Sequence, residues 1–147
     1  MDRRTLVQEM GTARERVMDA VAGLSEEQAS RPGADGWSIK DHLNHLTACD
    51  EIRFFEIDRI SRGGSPAFTH MSGQQSDTLN ELIVLLRRSL SLHQALSDLA
   101  AARSRVLEAV AAAPERARDA KLYGEYQIDG SIPHDPEHAE AIRALRQ

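Results

Sequence analysis

Trp37-Ser38-Ile39-Lys40-Asp41-His42-Leu43-Asn44-His45-Leu46 is the stretch on which the fold turns. Ser38 has the chemistry of a helix N-cap. Its hydroxyl can accept from first-turn backbone N–H groups, and Asp41, three residues on, favours the same positive helix end. Trp37, just before the cap, can fold back on the first turn as a hydrophobic staple. Ile39, Leu43, Leu46, Ile52, Phe55 and Ile60 then supply apolar positions to about Ser61. This spacing belongs to a helix. His42 and His45 stand inside it.

Working outward, Leu6, Met10, Ala13, Val17, Val21 and Leu24 recur at steps of three and four, which predicts a first helix over about residues 3–23. Pro32, Gly33 and Gly36 punctuate the stretch between the two helices. Arg62-Gly63-Gly64-Ser65-Pro66 ends the second helix. A polar, glycine-bearing loop to about Ser76 reads as an edge to a site. Asp77 is the expected cap of the next element, with Leu79, Leu82, Ile83, Leu85 and Leu86 as a dense apolar run. Ser89 to Ser91 marks a kink or break. Leu92, Leu96, Leu99, Arg103, Val106 and Val110 then form a further stripe, closed by Pro114. Tyr123–Gly130 reads as a loop or short extended piece. A final helix carries His138, Ala141, Ile142 and Leu145. Strand signals are nearly absent. The expected fold is all-α, a four-helix bundle with up-down helices and one longer crossover connection.

A length of 147 residues suits one domain over 1–147, and 41% hydrophobic with 28% charged residues is normal for a globular chain. Eighteen basic against 23 acidic side chains give a formal charge of −5, which disfavours a nucleic-acid backbone as partner. No stretch approaches the roughly 20 apolar residues of a membrane span. The amphipathic N-terminus is unlike a secretory signal, so the expected location is the cytoplasm. Cys49 is the single cysteine, which excludes an intrachain disulfide and a cysteine-rich metal site.

Any metal must therefore rely on histidine and carboxylate. His134 and His138 are four apart, and on a helix such side chains share a face. Neutral imidazole is the commonest ligand for first-row metals. A third ligand has to come from another element, and His45 is the leading candidate. His42 could share its face but reads as a helix-surface histidine. His70 and His93 read as non-ligands. Ligand histidines usually donate their second ring N–H to a carboxylate or carbonyl. Asp41, Asp50, Glu51 and Asp135 are available for that.

His134-Asp135-Pro136-Glu137-His138 also fits H-x-x-E-H, used by some zinc proteases with the glutamate as general base. That chemistry expects a further downstream ligand, and nine residues follow His138. Glu137 reads as a first-turn glutamate that could serve as a base if it faced the ion. Pro136 complicates the segment, because proline is comfortable only in a first helical turn. A helix starting near Ser131 to Pro133 loses one backbone hydrogen bond there. A start at Asp135 leaves His134 just outside.

Gly36–Leu46, with its Trp-Ser cap and a histidine before a leucine, closely resembles the start of the second helix in the DinB-like (YfiT-like) superfamily of four-helix-bundle proteins. Thr78-Leu79-Asn80-Glu81 and the helix after it are similar to that superfamily's third helix. Ile132–Ile142 resembles its closing H-x-x-x-H segment. The resemblance implies a divalent metal, zinc or nickel, held by His45, His134 and His138. It implies a hydrolytic or low-molecular-weight-thiol transferase activity on a small-molecule substrate, with the thiol as cosubstrate, and frequent homodimers. A non-catalytic bundle that binds or sequesters a small molecule is the alternative. The Leu79–Leu90 run has more apolar positions than one core-facing stripe needs, so a homodimer seam is expected there.

Overall fold

The computed structural model describes residues 1–117 and 121–147. Six α-helices are present among them: α1 (Arg3–Val21), α2 (Glu26–Ser30), α3 (Ile39–Ser61), α4 (Gly73–Arg87), α5 (Leu92–Ala112) and α6 (Ser131–Arg146). A π-helical turn at Lys121–Glu125 and a 3-10 turn at Ile128–Gly130 lead into α6.

Helix starts follow side-chain caps. Asp2 accepts from the Thr5 amide at the head of α1. Ser38 accepts from the Asp41 amide, and Asp41 returns a bond to the Ser38 amide, a reciprocal capping box. The same box is built by Ser25 with Gln28, Ser72 with Gln75, and Ser91 with Gln94. These boxes correct two sequence expectations and decide between the alternatives of a third. The break after α1 contains the short helix α2. Asp77 is not a cap, because Ser72 caps α4 five residues before it. The feature at Ser89–Ser91 is a full break that Ser91 turns into the start of α5.

Helices α1, α3, α5 and α6 form the bundle, with α3 against α5 and α1 against α6, while α4 lies on α3. The order of buried side chains gives their directions. At one end Leu6 and Met10 of α1 meet Ile57 and Ile60 of α3 and Val106 and Val110 of α5. At the other, Val17 and Val21 meet Ile39, Leu43, Leu92, Leu99 and Ile142. So α3 and α5 run parallel, and the longer crossover between them is α4 with its flanking loops. Phe55, expected on the buried stripe, is 56% exposed. Ile57 and Ile60 hold that end instead.

A buried polar layer separates the two apolar clusters. Arg14 of α1 and Arg103 of α5 each bind both Asp50 of α3 and Asp135 of α6, at 2.8–3.1 Å. Arg103 also donates to the Met10 carbonyl, and Arg14 to the Leu99 carbonyl. All four main helices are thereby tied at one level. Burial opposes ionisation of Asp50, but Arg103, Arg14 and Arg53 outweigh it and hold its carboxyl below the usual range.

Candidate metal centre

Beside this layer, α3 and α6 bring three imidazoles together. α6 begins at Ser131 without a side-chain cap, continuing directly from the 3-10 turn, so Pro136 lies inside the helix. Proline there forfeits the bond its N–H would have made to the Ile132 carbonyl. Asp135, next to it, is fixed by two arginines. The early start answers the question that Pro136 raises. His134 and His138 stand one turn apart, with their Nε2 atoms 3.0 Å from each other.

His45 reaches the same point from α3, its Nε2 3.2 Å from that of His134. One nitrogen from each of His45, His134 and His138 lies within 4.8 Å of the other two. Metal–nitrogen bonds of about 2.0–2.1 Å in a tetrahedral site put ligand nitrogens roughly 3.3 Å apart. The separations of 3.2 and 3.0 Å from His134 to His45 and His138 are close to that, so the residues present fit a divalent ion.

The electrostatics agree. Burial pushes His45 down to about 4, assisted by His134, His42 and Arg53. Burial and the neighbouring histidines take His138 down to about 3. Burial and Arg53 lower His134 as well. All three rings are neutral at neutral pH, the form a metal requires. Burial pushes the Cys49 thiol, whose sulfur is 3.7 Å from His45 Nε2, up to about 11, so it stays protonated.

Other expected residues fall elsewhere. His70, His93 and Glu137 are exposed. His42 is not a surface residue: it is buried, with Nδ1 2.8 Å from His138 Nδ1. Among the described residues, the four carboxylates expected to orient the imidazoles form no hydrogen bond to them. Asp50 and Asp135 bind arginines, Asp41 completes the α3 cap, and Glu51 pairs with Arg87. The arginine layer had one trace in the sequence, since Arg14 and Arg103 occupy core-facing positions in apolar stripes.

A cleft of about 310 Å³ opens onto His45 and His134, walled by Arg53, Glu56, Phe68 and Tyr126. The loop after α3 does edge it. Glu56 accepts from the Ala67 and Phe68 amides, and the Tyr126 hydroxyl donates to the Gly64 carbonyl. Tyr123 instead donates to the Asp2 carbonyl. A larger depression of about 370 Å³ near Phe54, Phe55 and Arg105 contains none of the histidines. The smaller cleft is therefore the one with chemistry.

Fold and site together define an all-helical bundle protein with a candidate three-histidine metal centre facing a small cleft. The chain matches the family model for the mycothiol maleylpyruvate isomerase N-terminal domain over residues 10–136. It belongs to that family, which is part of the DinB-like superfamily. Comparison with curated proteins and with solved structures returns no match. No helix among the described residues is long and apolar enough to cross a membrane.

Proposed function

We propose that this protein is a metal-dependent enzyme acting on a small molecule, either a transferase using a low-molecular-weight thiol or a hydrolase. His45, His134 and His138 would hold the ion, zinc or nickel. The observation that carries the reading is the convergence of three neutral imidazoles from two helices near metal-ligand spacing, with His45 and His134 lining a cleft. When bound, a divalent ion supplies Lewis acidity that lowers the pKa of a thiol or water at an open coordination position. The family model's name, with its reference to mycothiol, favours the thiol.

The chain's own residues shape what enters. Arg53, paired with Asp50, and Glu56 place one charge of each sign on the cleft wall. Phe68 and Tyr126 add aromatic surface to the same wall. Cys49 lines the same cleft, its sulfur 3.7 Å from His45 Nε2.

We also propose a homodimer through α4. Leu82, Leu85 and Leu86 are 50, 66 and 71% exposed on that helix, an apolar face that a second copy could cover.

The test is elemental analysis of purified wild type, His45→Ala and His138→Ala, followed by a thiol-transfer and hydrolysis screen with and without chelator. Metal in the wild type and its loss in both variants is expected. Full retention in both variants sinks the ligand assignment. Ligand-induced stabilisation without chelator-sensitive turnover would point to a binding protein instead.

A further inference from the structure

We propose that His42 is a positioning residue for the metal centre, accepting the Nδ1 proton of His138 and so fixing the tautomer of His138 that leaves Nε2 free for the ion. This rests on the three-histidine reading above and goes one shell further out.

His42 and His45 are three residues apart on α3, so both point toward α6. They meet different edges of the α6 imidazoles. His45 Nε2 approaches His134 Nε2. His42 Nδ1 lies 2.8 Å from His138 Nδ1. That nitrogen is across the ring from His138 Nε2, which is 3.0 Å from His134 Nε2 at the point of convergence. His42 thus stands behind His138 and does not belong to the group of three donors.

Two nitrogens at 2.8 Å share one proton, and a neutral imidazole carries only one N–H. If His42 donates, His138 must keep its proton on Nε2, which blocks the ligand lone pair. If His138 donates, Nε2 is free, and the proton of His42 sits on its own Nε2. Metal binding selects the second arrangement. His42 is the acceptor that makes it available.

Histidine ligands ordinarily use a carboxylate or carbonyl for this purpose. Here the nearby carboxylates Asp50 and Asp135 are committed to Arg14 and Arg103. His134 shows the consequence of lacking an acceptor, because its Nδ1 is buried without a partner among the described residues. The His42 ring is held in place. It is 7% exposed, and Trp37 packs on it edge-on at 5.1 Å with a 71° interplanar angle. Trp37 precedes the Ser38 cap and His42 is the fourth residue of α3. The staple anticipated from the sequence therefore closes on an imidazole. An imidazole acceptor, unlike a carboxylate, adds no negative charge to the ligand sphere.

The experiment is competition of the apo-protein with a chromophoric chelator for Zn²⁺, using wild type, His42→Phe, His42→Gln and His45→Ala. Phenylalanine keeps a ring against Trp37 and removes the acceptor. Glutamine restores an acceptor oxygen. Affinity in His42→Phe is expected to fall by about 10–100-fold with stoichiometry unchanged, and to recover in His42→Gln. Long-range ¹H–¹⁵N spectra of the zinc-loaded wild type should show the His138 proton on Nδ1, a readout that needs no substitution. Unchanged affinity in His42→Phe while His45→Ala loses zinc overturns this proposal alone. So does a proton found on His42 Nδ1, equal weakening in the phenylalanine and glutamine variants, or complete loss of binding in His42→Phe, which would make His42 a ligand. A wild type that binds no zinc overturns the metal centre itself, and this proposal with it.

Discussion

Replacing Asp50 by asparagine tests what joins the halves of this bundle. Asp50 is fully buried and accepts from Arg14, Arg53 and Arg103, with two bonds from Arg103 alone. Asparagine preserves the volume but removes the charge and turns an N–H₂ donor toward guanidinium groups. Asp135 would then be the only carboxylate facing the two most buried arginines, Arg14 and Arg103, which are 5% and 3% exposed. Removing one partner from a buried ion pair costs about 3–5 kcal/mol. For 147 residues that corresponds to a fall in Tm of roughly 10–16 °C. Urea denaturation followed by far-UV circular dichroism measures the cost. Asp58→Asn is the control, because the Asp58–Arg62 pair is exposed and should contribute about 0–1 kcal/mol. If Asp50→Asn proves no more damaging than the control, the polar layer does not hold the helices together.

Three further outcomes are expected. Stability of the chelator-treated protein should fall as pH drops. His45 and His138 bind protons near 6.5 when unfolded but only near 4 and 3 when folded, so the unfolded chain takes up more protons in that window. Stability that stays flat between about pH 7 and pH 5 contradicts the burial argument, and protonation of Asp50 adds to the loss in stronger acid. Ser38→Ala should cost about 1 kcal/mol by removing the α3 capping box, and should weaken metal binding because His42 and His45 lie in the first two turns; unchanged stability and affinity would refute that. Light scattering should report twice the chain mass for the wild type and a monomer for a Leu82→Glu, Leu86→Glu variant, and a monomeric wild type removes the α4 interface.

The bundle helices were legible because their information is local. Apolar steps of three and four, with a serine cap at Ser38, are read from neighbouring residues. The errors were local too. Asp77 attracted attention as a cap, while the Ser72–Gln75 and Ser25–Gln28 boxes carried the real starts. The start of α6 was ambiguous because Gly130 offers no side-chain cap and the helix grows out of a 3-10 turn. The three histidines could be grouped from spacing and resemblance. The arginine–aspartate layer could not, since its members at 14, 50, 103 and 135 share no local pattern. For the same reason the sequence does not choose among Asp41, Asp50, Glu51 and Asp135 as partners of the imidazoles, and does not reveal that His42 is buried. Which ring nitrogen meets which neighbour is fixed only by tertiary packing.

The pairing of α6 with α1 bears on how the histidine cluster comes into being and how long it lasts. Arg143 and Arg146 reach the Arg16 and Ala20 carbonyls across more than 120 residues of chain. Contacts so distant bear their loop-closure entropy before any gain, so α6 docks late in folding, after the closer pairing of α3 with α5. Detachment of α6 alone is then a short route to partial opening. It separates His134 and His138 from His45 while α3 and α5 remain packed. An ion held by His45 together with His134 and His138 would join α3 to α6 and so oppose that opening.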